Sequence, residues 1–164
     1  MKTILTRMKT LVQNNFSSGQ TLSDIKFVEI AHPEVALLEF SNSVLPSIFL
    51  APGPTKESWE TTQRKLAEHR VYAYIVLHYN QRELNIIGDS ARNINGILDI
   101  ENNFLEVFRG HRLAVDGTNY LDKPLDIEDI DRNPFPVEDG FIITSKIIML
   151  CTRIFLQTSL PGNI

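Results

Sequence analysis

The side chains able to do chemistry in this sequence are His32, His69, His78 and His111, a lone Cys151, an acidic run from Asp122 to Asp139, and Tyr72, Tyr74 and Tyr79 beside Arg70 and Arg82. Nucleophilic catalysis needs a serine or cysteine activated by a nearby base, and no GxSxG turn is present. Nucleotide binding of the common kinds needs GxxxxGK[ST] or GxGxxG, and neither occurs. A helical zinc site needs histidines at HxxxH or HExxH spacing, which these four do not make. His78 alternates within an apolar stretch and reads as a packed histidine. Cys151 lies in the apolar run 147–156, where a thiol is buried and unreactive.

The acidic run holds Asp122, Asp126, Glu128, Asp129, Asp131, Glu138 and Asp139 against only Lys123 and Arg132. Its start imitates a calcium loop. Such a loop needs glycine at its sixth position and a bidentate Glu at its twelfth; counted from Asp126 these are Asp131 and Val137. The match fails. A solvated segment or a partner-facing surface remains, with an enzymatic carboxylate pair the least favoured reading. The tyrosines could stack single-stranded bases, but alternating tyrosines on a strand more often pack a sheet or anchor an interface.

Trp59, the only tryptophan, stands in the polar stretch 53–64 among Lys56, Glu57, Glu60 and Arg64. It either folds back onto the core or anchors a partner, where tryptophan is enriched among energetic hot spots. The lack of apolar company favours the anchor, and Pro52, Gly53 and Pro54 would let the stretch project.

These candidates must be positioned by a chain of 164 residues, with 43% hydrophobic and 22% charged residues and a net charge of −4. That is ordinary usage for one globular domain with a real core, and it argues against a broad phosphate-binding surface. A single cysteine allows no internal disulfide and suits a reducing compartment. Arg7 and Lys9 interrupt any apolar leader, and no stretch reaches the roughly 18 apolar residues of a membrane span. Cytosol-like conditions are expected.

Ile4, Leu5, Met8, Leu11 and Val12 fall at helical spacing and predict an amphipathic helix over 2–15. Strands are expected at 25–30, 35–40 and, between Pro46 and Pro52, a short one at 47–50 whose flanking prolines suit an edge. The stretch 53–64 reads as a polar excursion. The run 70–79 predicts a strand with Val71, Ala73, Ile75 and Leu77 on one face and Tyr72, Tyr74, Val76 and His78 on the other, both covered. Asp89-Ser90 starts a helix closed near Arg109 by Gly110. An irregular strand spans 125–130, stopped by Pro134 and Pro136. A long strand follows over 141–156, and 157–164 reads as a frayed tail. The expected fold is α+β over 1–164, a mostly antiparallel sheet with two main helices on one side.

This layout resembles the tail terminator proteins of long-tailed bacteriophages, the lambda-type minor tail proteins. The similarity is carried by the amphipathic first helix, the proline-bounded Leu45-Pro-Ser-Ile-Phe-Leu-Ala-Pro52, and the strand Val71-Tyr-Ala-Tyr-Ile-Val-Leu-His-Tyr79. It continues through the helix Ile94-Asn-Gly-Ile-Leu-Asp-Ile-Glu-Asn-Asn-Phe-Leu, the acidic Leu125-Asp-Ile-Glu-Asp-Ile130, and the strand Ile147-Ile-Met-Leu-Cys-Thr-Arg-Ile-Phe155.

The resemblance implies a structural virion protein with no enzymatic activity, cofactor or metal. It would be assembled in the host cytoplasm, have no membrane partner, and form a hexameric ring at the head-proximal end of the tail. The ring would cap the tail tube protein and meet a neck or head-completion protein, with genome DNA passing through its lumen. The family has no invariant catalytic or ligand motif to transfer. Trp59, Lys56, Glu57 and Arg64 are the candidate partner interface. Asp126, Glu128, Asp129 and Asp131 are the candidate lumen or rim, because acidic walls repel phosphate over roughly 8 Å at physiological salt. The alternatives are another ring-forming neck, tube or baseplate component, and a small enzyme with an unrecognised site.

Overall fold

Apolar residues at every second position build the strands Arg64–Leu77 and Gly140–Leu156 and fix which way each side chain faces. The computed structural model describes residues 1–32, 45–79, 82–137 and 140–156. In it β1 (Phe27–Glu29), β2 (Ser47–Thr61), β3 (Arg64–Leu77), β4 (Asp126–Val137) and β5 (Gly140–Leu156) form one sheet in the order β1-β2-β3-β5-β4. β1 runs parallel to β2, and the other neighbouring pairs are antiparallel. Helix α1 (Lys2–Asn14) and helix α3 (Ile97–Phe108) pack on one face, while a short α2 (Arg82–Ile87) follows β3. The architecture is α+β, as the sequence predicts.

The main core lies between that face and the two helices. Val71, Ala73, Ile75 and Leu77 of β3 and Ile147, Met149 and Cys151 of β5 meet Ile4, Leu5, Met8 and Val12 of α1 and Ile97, Ile100, Phe104 and Phe108 of α3. Each fully buried Leu, Ile or Phe contributes about 1.5–3 kcal/mol, which holds α1 in place where intrinsic propensity would leave 13 residues marginal. Phe104 and Phe108, one turn apart, stack with ring centroids 4.5 Å apart. On the opposite face a smaller cluster gathers Leu45, Phe49, Val76 and Ile142, with Phe27 and Tyr74 against it.

Four local expectations need correction. The polar stretch 53–64 is strand, not excursion: β2 continues to Thr61, turns at Thr62-Gln63, and returns as β3 from Arg64. The strand at 47–50 is accordingly interior, flanked by β1 and β3. Pro52 and Pro54 are absorbed at a register shift between Pro52 and Thr55. Charged residues suit this arm because none of Thr55 to Thr61 is buried and opposite charges face across strands, Lys56 opposite Glu68 and Lys65 2.5 Å from Glu57.

The helix expected from Asp89 begins at Ile97. Asp89 caps only a 3₁₀ turn (Ser90–Arg92), accepting from the Ala91 N–H at 3.0 Å, and Asn93 at φ 55° ends it. Asp89 and Ile94 then exchange backbone hydrogen bonds of 2.7 and 2.9 Å, closing a loop. Gly96 starts α3, its N–H held by the Asp99 carboxylate at 3.1 Å.

Helix α2 has no counterpart in the sequence reading. Buried Asn85 anchors it by accepting from the Tyr79 N–H at 2.6 Å and donating to the Tyr79 carbonyl at 2.9 Å, in place of a neighbouring strand. Finally, Pro134 and Pro136 do not stop β4, which pairs with β5 through Val137. β4 is an outer strand of the sheet, where a missing N–H is tolerated.

Before β4 the chain runs along the same edge of β5. The Asp122 N–H donates to the Thr152 carbonyl at 3.1 Å, and the Asp122 carboxylate accepts from the Ile154 N–H at 2.7 Å. The expected strand at 35–40 and the tail 157–164 lie outside the described residues.

Candidate functional site

Ile127 and Ile130 of β4 pack against the main core, so the residues alternating with them face away from the helices. Register places Asp126 opposite Leu150, Asp129 opposite Ile148 and Asp131 opposite Lys146 on that open face. A register shift between Ile127 and Asp129 accommodates Glu128. The Arg70 guanidinium reaches Glu128 from β3, donating two hydrogen bonds of 2.6 and 2.8 Å. That charge-assisted pairing raises the Arg70 pKa above its ordinary value. All four acidic candidates are exposed along one edge of one face.

Beside them Lys146 sits over Tyr72, its Nζ 4.2 Å from the ring centroid, and 5.9 Å from Tyr74. Tyr72 and Tyr74 meet edge to face at 6.4 Å. Gly53 lies against Tyr72 and Arg70; a Cβ there would be 2.9 Å from Tyr72 Cζ and 3.0 Å from Arg70 Cβ. Tyr79 does not join them. It belongs to the helix side, its hydroxyl 3.3 Å from the Asn95 carbonyl, and burial raises its pKa.

The second group is the arm. Trp59 of β2, Lys65 of β3 and Phe155 of β5 form one cross-strand row on the helix-side face. Trp59 is 59% exposed, Phe155 47% and neighbouring Leu156 71%. Lys65 Nζ lies 6.0 Å from the Trp59 ring centroid. Arg64 pairs with Glu60 at 2.9 Å across the turn. Lys56 points to the opposite face from Glu57 and Trp59, so the structure puts the four candidate interface residues on one arm but not one surface. Arg153 lies over Tyr120 at 4.2 Å and Phe155 at 5.4 Å, with Asp122 3.2 Å away.

Sequence reasoning missed the exposure of Phe155 and Leu156. Their signal was the continuation of the β5 apolar pattern past the last core residue, Cys151.

The remaining titratable groups serve packing. Burial pushes the Cys151 thiol up to about 12, keeping it protonated. Burial lowers the pKa of His111, whose buried Nδ1 has no partner, and of His69, whose Nδ1 lies 3.0 Å from Thr55 Oγ1. Among the described residues no three His, Cys, Asp or Glu side chains gather closely enough to hold a metal ion. None of their helices is long and apolar enough to cross a membrane.

No family model matches the chain, and no curated protein matches it. Among solved structures it is similar to a chain of the structure titled "Virion of native gene transfer agent (GTA) particle", at 10% identity and a TM-score of 0.49 over 87% of this chain and 90% of that one, a likeness of layout that assigns no role.

Proposed function

We propose that this chain is a structural virion protein that acts as a tail terminator: a ring, hexameric by resemblance, that caps a finished tail tube and joins it to the head through a neck protein. It performs no catalysis. The observation that carries the reading is the placement of Asp126, Asp129 and Asp131 along one exposed face of the sheet, opposite the helix-packed face. An acid-edged sheet face turned to a lumen lets phosphate pass without binding, since exposed carboxylates repel it and Arg70 is already occupied by Glu128. The projecting arm and the element order quoted from the sequence support the same assignment.

Negative-stain images of the purified protein at high concentration, and of tail ends carrying it, test the proposal. Annuli with a central hole are expected. Compact particles with no hole, together with monomer only in purified virions, would overturn it. Neighbouring genes are expected to encode tube and head-completion proteins.

A further inference from the structure

Asn95-Gly96 is the only Asn-Gly pair in the sequence. Such pairs are the most prone to spontaneous deamidation, because glycine puts no side chain in the way of its own nitrogen as it approaches the asparagine amide. The deprotonated Gly96 nitrogen attacks Asn95 Cγ. An N–Cγ bond forms, the Cγ–Nδ2 bond breaks, and ammonia leaves with the proton that the nitrogen gave up. Water, the only co-reactant, then opens the succinimide ring at either carbonyl. One opening gives aspartate; the other gives isoaspartate, whose main chain runs through the former side chain.

The fold restrains each participant in this reaction. The Gly96 N–H donates to the Asp99 carboxylate at 3.1 Å. A carboxylate there opposes loss of the proton, since the nitrogen would become an anion beside an anion. The leaving group is tied as well: Asn95 Nδ2 donates to the Asp24 carboxylate, which lies on the segment before β1. The Tyr79 hydroxyl donates to the Asn95 carbonyl at 3.3 Å, and Gly96 is packed so closely on Gly88 that a Cβ on it would stand 2.5 Å from the Gly88 nitrogen. Closing a five-membered ring needs freedom of the Asn95 side chain and of the Gly96 peptide to reach an attacking geometry. Both are held, from three separate segments of the chain.

We propose that Asn95 is a self-modification site that the folded start of α3 keeps shut, and that local opening of this start, not global unfolding, releases it. The reaction runs one way. Aspartate at position 95 sets a second carboxylate against Asp24, and isoaspartate lengthens the backbone where Gly96 has no room against Gly88. A subunit left open long enough therefore loses the contacts that close it. The inference does not depend on the ring reading.

The test incubates the purified full chain in mildly alkaline buffer and counts aspartate and isoaspartate at position 95 by peptide mapping with mass spectrometry. Folded wild type is expected to react at least about a hundredfold more slowly than the chain held unfolded in guanidinium chloride. Asp99→Ala, shown by circular dichroism to remain folded, is expected to react about tenfold faster than folded wild type, the factor that one charge-assisted hydrogen bond is worth. Gly110→Ala lowers stability beyond the other end of the same helix, and its rate is expected to stay near that of the wild type. Equal rates in folded and unfolded wild type would overturn the proposal. So would an Asp99→Ala rate no higher than the wild type's, or a Gly110→Ala rate raised as far as that of Asp99→Ala. Should Asp99→Ala unfold, Tyr79→Phe replaces it, releasing the Asn95 carbonyl alone. A smaller rise is expected there, and no rise overturns the lock.

Discussion

Both carboxylate oxygens of buried Glu101 accept hydrogen bonds from the Arg132 guanidinium, at 2.7 and 2.6 Å, so helix α3 grips the acidic edge strand β4 from the core side. The same bonding raises the Arg132 pKa. Removing Arg132 leaves a carboxylate that is 3% exposed without its counter-charge. For fully buried pairs that costs about 3–5 kcal/mol. Arg132 is itself 48% exposed and admits water, so Arg132→Ala is expected to cost about 2 kcal/mol. Urea titration measures this as a lower midpoint with unchanged slope. The double change Glu101→Leu with Arg132→Leu is expected to cost less than Arg132→Ala.

Gly96 has an ordinary φ of −81°, so any cost of adding a side chain there is steric. A Cβ would stand 2.5 Å from the Gly88 nitrogen and 2.5 Å from the Ile86 carbonyl oxygen, both backbone atoms with nowhere to go. Gly110 has φ 69° and open space around it. Gly96→Ala is expected to destabilise by about 3 kcal/mol and Gly110→Ala by about 1 kcal/mol. Thermal melting of the two variants checks the ranking.

Trp59→Ala is expected to leave the subunit's own stability within about 0.5 kcal/mol, since the side chain is largely in water. Under the proposed terminator role, tails made with the variant are expected to be overlong or to fail to join heads. Loss of soluble protein with normal joining would place Trp59 in the core instead.

Stability is expected to fall as the pH drops below 6.5. Burial holds His111 and His69 below their ordinary 6.5, so between that value and the folded one the unfolded chain binds more protons. The loss begins near pH 6.5 and stops once the folded histidines also protonate. His111→Leu is expected to flatten the decline measured in urea from pH 7 to 5.

Replacing Asp126, Asp129 and Asp131 together by lysine is expected to leave the helix-side core intact. Under the lumen assignment, the altered ring gains a salt-sensitive affinity for duplex DNA, and particles carrying it release their genome more slowly. Gel shifts at low and high salt, and ejection assays, measure the two effects. Unchanged ejection would place these acids on an outer face.

The β3–β5 core was legible in the sequence because Val71, Ala73 and Ile75, like Ile147, Met149 and Cys151, alternate over many residues, and alternation is a local property. The arm was not, because what makes 55–61 a strand is its pairing with 64–69, information held on another segment. Asp89 was correctly read as a cap, but the residue that ends its short turn, Asn93, was not recognised as taking a left-handed conformation. The acids and Trp59 were found by composition alone. Their directions came only from register, with Ile127 and Ile130 turned inward.

The side chain of Asp122 occupies the backbone donor of Ile154 at the edge of β5 just beyond the start of β4. An uncovered strand margin invites any other extended chain to add itself, copy after copy, into a fibre. Here a carboxylate takes the place an incoming carbonyl would need, and it brings a charge that a closely stacked copy would repeat against itself. A chain that exposes tryptophan, phenylalanine and leucine on one arm thus carries its own guard against amyloid growth at that margin, and leaves its sticky end to be recognised by side chains alone.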